Sequence, residues 1–160
     1  MFRSRTQNTI RRKIHRGTQK KGGKKNIKQK SINNDKKTHI VRVFLEILNV
    51  VKLYHWKTKS FAQHKATDEL YSKLNDNIDA FVEILLGKDE SRINMLASSL
   101  PLMNANSSND FKSRIYEYRE FLIKDISMYF DSKRDSDLLN TRDEILGNIN
   151  QFLYLMTFDK

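Results

Sequence analysis

His64, Asp68, Asp79 and Glu83 follow one another at spacings of four, eleven and four residues. On an α-helix, at about 100° per residue, the four share a stripe roughly 100° wide on one face. His55 and Trp56 stand just ahead of them. Imidazole and carboxylate together suit iron, zinc or manganese, and a chain without cysteine has no thiolate for softer metals. The spacing also sets a limit. Asp68 and Asp79 lie about 16 Å apart along a helix axis, whereas metal–ligand bonds are about 2 Å long. The two pairs therefore cannot share an ion within one chain. Either each pair binds separately, or a second copy lies antiparallel and brings its Asp79 and Glu83 to His55, His64 and Asp68. A twofold axis would then generate two equivalent sites that exist only in the dimer. Ion pairing among Lys65, Glu69, Lys73 and these side chains is the plainer alternative.

Positioning such residues takes long helices, and the apolar spacing beyond Lys37 predicts four. Ile40, Phe44, Ile47 and Val51 recur at three and four residues and lead to Tyr54 and His55. His39 is expected at the surface. After a break at Lys57-Thr58-Lys59, Ser60 and Gln63 fit a capping box that starts a second helix at Phe61. Its buried face takes in Leu70, Leu74, Ile78, Phe81, Val82 and Leu85, with Gly87 as a stop. In the connection that follows, Ile93, Leu96 and Leu100 suggest one short helix before Pro101, and Asn104 to Asn109 reads as loop. A third helix is expected from about Asp110 to Phe130, with Phe111, Ile115, Tyr118, Leu122 and Ile126 inward. Beyond a polar turn, Ser136 or Asp137 caps a fourth helix carrying Leu138, Leu139, Ile145, Leu146, Ile149, Phe152, Leu153 and Met156. No stretch alternates as a strand would. The expected fold class is all-α: a four-helix bundle over residues 38–160 with one longer connection.

The charge is divided sharply. Residues 1–37 hold 14 of the 30 lysines and arginines and one acid, Asp35, a net of +13. Residues 38–160 hold the remaining 16 basic residues against 18 acidic ones, a net of −2. In the first segment Phe2, Ile10 and Ile14 are too few to offset the entropy of ordering a backbone, so residues 1–37 are expected to be a disordered tail. Its cations (Arg3, Arg5, Arg11, Arg12, Lys13, Arg16, Lys20, Lys21, Lys24, Lys25, Lys28 and Lys30) would pair with the phosphates of DNA or RNA, in a sequence-independent and salt-sensitive way. His15 is one more polar residue there. Nuclear import, mitochondrial targeting, a solubilising role and an anionic membrane surface are the competing readings of such a tail. No apolar run reaches the roughly 20 residues of a membrane helix, and the missing cysteines fit a reducing, intracellular setting.

The run from His55-Trp56 through His64-x-x-x-Asp68-Glu69-Leu70-Tyr71 to Asp79-x-x-x-Glu83 resembles the signature of the Dps mini-ferritins, in the ferritin-like superfamily. Asp137-Leu138-Leu139 and the stretch Phe152 to Met156 are similar to the family's last helix, and the string His55 to Ala66 is similar to uncharacterised proteins of phages and large DNA viruses. His55 and His64 are nine residues apart, closer than is usual in that family, and Gly87-Lys88-Asp89-Glu90 replaces its glycine-proline pattern. The resemblance implies a ferritin-like bundle with an iron-oxidising site shared across a dimer. His55, His64 and Asp68 would come from one chain, Asp79 and Glu83 from its partner, and Trp56 would be a nearby aromatic for electron transfer. It also implies a homo-oligomer, a twofold dimer at least and a dodecamer at the family's size. The expected function is a Dps-like ferroxidase that oxidises and sequesters iron and holds DNA through its tail, in cytoplasm, nucleoid, virion or viral factory. A metal-independent nucleic-acid packaging protein on the same bundle is the alternative. An interaction module with an import signal is a third reading.

Overall fold

The structure is a computed structural model of the chain, and it describes residues 32–94, 100 and 105–158. All regular structure among the described residues is helical. Helix α1 (Asn34–Lys57) is followed after three residues by α2 (Phe61–Gly87). Helix α3 (Ser108–Phe121) runs on through a π-helical turn, Leu122–Ile126, and a last α turn, Ser127–Tyr129. Helix α4 (Ser136–Leu155) closes the bundle.

Local chemistry sets most of the helix ends. Asn33 caps α1 by accepting the Lys36 N–H at 2.9 Å, so the helix begins inside the segment expected to be tail. Lys37, expected to end that tail, is instead buried in the fold. Its ammonium pairs with Asp89 and donates to Ser91 Oγ at 2.8 Å, tying the start of α1 to the turn after α2. Residues 1–31, with the twelve tail cations named above and His15, lie outside the described residues. Ser60 caps α2 through the Gln63 N–H as expected, but the reciprocal half of the box is not made. The Gln63 side chain turns inward and accepts from Tyr54 and Thr58 instead. Helix α2 ends at Gly87, yet that glycine does not take the left-handed turn. Glu90 does, at φ 56°, where Ser91 N–H reaches back to the Leu86 carbonyl at 3.1 Å. Ile93 is not helical, and Leu96 and Pro101 lie outside the described residues. Helix α4 starts earlier than expected, with Asp135 as its cap residue.

The third helix is where the expectation of one uninterrupted α-helix fails. A π turn widens the ring of backbone bonds and leaves a carbonyl open to other donors. Arg142 of α4 fills that role: its Nη1 donates to the Leu122 carbonyl at 3.0 Å and to Ser127 Oγ at 2.7 Å.

The apolar stripes meet in one core. Tyr54 stacks on Phe111 with ring centroids 3.9 Å apart, and Phe111 meets Phe152 edge-on. Phe44 stands between Phe81 and Phe121, also edge-on. His39 is half-buried rather than on the surface, edge-on to Phe121. These contacts fix the helix directions. The Tyr54–Phe111 and Phe44–Phe121 pairs make α1 and α3 antiparallel, and Tyr54–Gln63 with Phe44–Phe81 make α1 and α2 antiparallel. The Lys73–Gln151 bond together with the Lys88–Asp137 pair sets α4 antiparallel to α2. The order is therefore up-down-down-up. Helices α2 and α3 run parallel, which is why a long connection must carry the chain back between them.

Candidate metal centre

The corner where α1 ends and α2 begins brings His55, His64 and Asp68 together. The turn between the helices is three residues long, and Ser60 Oγ and Thr58 Oγ1 hold it by accepting the Gln63 and Ser60 N–H groups. This places the last turn of α1 against the first turn of α2. The two imidazoles stack with centroids 3.8 Å apart and planes inclined by 24°.

Their hydrogen bonds are reciprocal. His55 Nδ1 lies 3.0 Å from the His64 carbonyl oxygen, and His64 Nδ1 lies 3.0 Å from the His55 carbonyl oxygen. A carbonyl only accepts, so each Nδ1 carries the proton and donates it. In the neutral rings each Nε2 is then left with its lone pair, the form in which histidine binds a metal. His55 is buried, and its Nε2 lies 3.8 Å from Asp68 Oδ1 on the exposed side of α2. Thr67, fully buried and 3.3 Å from His55 Nδ1, braces the pair. Its hydroxyl donates to the Gln63 carbonyl at 2.7 Å. Thr67 escaped notice in the sequence, although its place in the inward row Gln63, Thr67, Leu70, Leu74 was the available signal.

Asp79 and Glu83 are exposed on the same helix and do not join this group. Among the described residues of one chain, no three histidine, aspartate or glutamate side chains close into a cage for an ion. One chain presents two imidazole nitrogens with one carboxylate at one end of α2, and two carboxylates further along it. That donor set fits a borderline or hard cation such as iron, zinc or manganese. Of the alternative ion pairs, Lys73 takes Glu69 at 2.7 Å and leaves the candidate ligands alone.

Trp56 is largely exposed at 69%, with the Lys52 ammonium 5.6 Å from its ring centre and 4.7 Å from that of Tyr71. Grooves elsewhere among the described residues are lined differently. One, at the opposite end of the bundle between Lys36, Lys88, Tyr129 and Arg134, is lined by lysines and aspartates already paired, Lys88 with Asp135 and Asp137. No helix among the described residues is long and apolar enough to cross a membrane.

A family of unknown function (DUF5856) matches residues 55–156, a span that opens on His55 and includes all five candidate ligands. An uncharacterised 14.6 kDa protein from the mobD-ri intergenic region of Enterobacteria phage T4 is 29% identical over 122 residues, covering 72% of this chain and 87% of the phage protein. Neither description names an activity. No solved structure matches the chain.

Proposed function

The chain belongs to a family of unknown function (DUF5856), and we propose that it is a Dps-like mini-ferritin whose iron-oxidising sites form between two copies. The observation that carries this reading is the crossed pair of imidazole–carbonyl bonds. They leave both Nε2 atoms without a backbone bond, that of His55 3.8 Å from Asp68 Oδ1, at one end of an incomplete donor set. The missing donors are on the same helix, about 16 Å away, where Asp79 and Glu83 face outward. An antiparallel second copy supplies them, and the twofold axis repeats the arrangement. The up-down-down-up order with one long crossover supports a ferritin-like bundle, since that is how ferritin-like chains connect their helices.

Fe(II) is the substrate. Each ion gives up one electron to hydrogen peroxide or oxygen, which is reduced towards water, and the ferric product is retained. Histidine nitrogens accept Fe(II), while the carboxylates hold the harder Fe(III) and balance its charge. The protein positions the ions and requires no acid–base residue beyond these ligands. Zinc or manganese would suit the same donors. The net charge of +12 over residues 1–31, ahead of α1, supports a second role, holding DNA or RNA close to an oligomer that removes iron and peroxide. Many tails on one assembly would add their weak contacts by avidity. The phage relative supports a viral origin, and a virion or viral factory is then our reading of the site of action.

Shared ligands predict complementation. Homodimers of His64→Ala and of Asp79→Ala should each lose fast Fe(II) oxidation, because both of their sites lack a ligand. Mixed dimers of the two variants should recover one intact site of two, read as about half the wild-type initial rate of ferric absorbance. Mixed dimers no faster than either parent would reject sharing between chains.

A further inference from the structure

The turn between α1 and α2 carries a second feature that the metal reading does not use. From Lys52 to Ala66 the sequence has four lysines (52, 57, 59 and 65) and no acid, a local charge of +4. The remainder of residues 38–160 holds 12 basic and 18 acidic residues, a charge of −6. The turn is thus locally basic along the sequence, with Asp68 and Glu69 the first acids beyond it on α2. It also holds two of the most exposed large rings in the described structure, Trp56 at 69% and Phe61 at 76%. They stand on either side of the three-residue turn, Trp56 in the last turn of α1 and Phe61 at the first position of α2. Lys59 and Lys65 are exposed beside them, and α2 has no acid in its first turn.

We propose that this corner binds single-stranded nucleic acid, with bases stacking on Trp56 and Phe61 and phosphates pairing with the exposed Lys59 and Lys65. Exposed aromatic faces interleaved with cations are the means by which proteins hold single strands without reading sequence, since every base has a face to stack and every linkage a charge. In a duplex the bases already stack on each other and are closed to these rings. The bundle thereby distinguishes strand state, which the tail's charge alone does not.

The chain has a single tryptophan, so Trp56 emission reports on this corner alone. The full chain, in chelator to exclude metal, is titrated with a short oligothymidylate while Trp56 emission and oligonucleotide anisotropy are recorded. The expected result is saturable quenching by the single strand and none by a duplex that still binds the tail. Phe61→Ala combined with Lys59→Ala should weaken the quenching titration about tenfold or more. Both side chains are exposed, so the variant keeps its fold, which circular dichroism checks. Single-strand binding with unchanged emission would overturn the proposal and leave the tail as the whole interface. Emission that follows protein concentration but ignores the oligonucleotide would also overturn it, by showing that a second copy covers the corner. With metal absent, the first result leaves the iron-oxidising reading untouched, whereas the second agrees with the second copy that reading requires, so failure of this proposal is distinct from failure of that one.

Discussion

His55 and His64 each give a proton to the other's backbone carbonyl, so neither ring can turn without losing a hydrogen bond. A net hydrogen bond is worth about 1 kcal/mol, and two acting across one turn hold the stacked rings in a single orientation. The identity of these residues was legible in the sequence, because histidines and carboxylates at helical spacing on one face stand out from an apolar pattern. Their bonding was not. A nine-residue separation does not reveal that each imidazole meets the other's carbonyl, nor that Thr67 lies behind them. Tyr118 is a residue of the opposite kind, read correctly as inward but with its hydroxyl buried and unpartnered. Burial, and the charge of Glu46, push its pKa up to about 12 from an ordinary 10.0. The fold favours the protonated phenol. Its contribution is therefore whole below pH 10.0 and is lost as pH rises through about 12. Tyr118→Phe should remove that alkaline loss, flattening the urea midpoint against pH in this window. It should also gain on the order of 1 kcal/mol at neutral pH by deleting an unpaired hydroxyl. An unchanged alkaline slope would show that another group sets it.

At the scale of elements, the helices follow the apolar spacing wherever a local rule decides, and depart from it where a distant side chain does. Ser60 starts α2 as its type requires, because the cap and the N–H it accepts are three residues apart. Asn33 starts α1 by the same local rule, but Lys37, polar by type, is buried because it finds Asp89 and Ser91 more than fifty residues away. The π turn in the third helix has the same kind of cause. Nothing in Leu122-Ile123-Lys124-Asp125-Ile126 marks it, whereas Arg142, twenty residues on, satisfies the carbonyl that the widened turn exposes. Its guanidinium is mostly buried and also pairs with Asp143. Replacing it removes a donor that no local group can substitute. Arg142→Met, which keeps the aliphatic stem, should destabilise the protein by about 1–3 kcal/mol, measured by urea unfolding. Faster amide exchange across residues 122–129 should accompany it. Wild-type exchange there would show that the π turn stands without the arginine.

The whole molecule joins two parts with opposite charge, and the sequence showed that division directly because composition needs no geometry. Helix number and the crossover were also legible, since four apolar stripes separated by two short links and one long one leave few arrangements. The antiparallel second copy is the step that the sequence could motivate only by distance, and among the described residues Asp79 and Glu83 do stand apart from His55, His64 and Asp68. The central claim is that two copies together bind and oxidise iron. Its most direct test is anaerobic Fe(II) titration of the full chain, followed by peroxide, with ferric absorbance and the iron retained on gel filtration both measured. The account predicts saturation at two equivalent sites per dimer or a multiple of that, rapid oxidation, and iron that elutes with an oligomer. An absence of Fe(II) binding would contradict it and leave a packaging protein that acts through its charge.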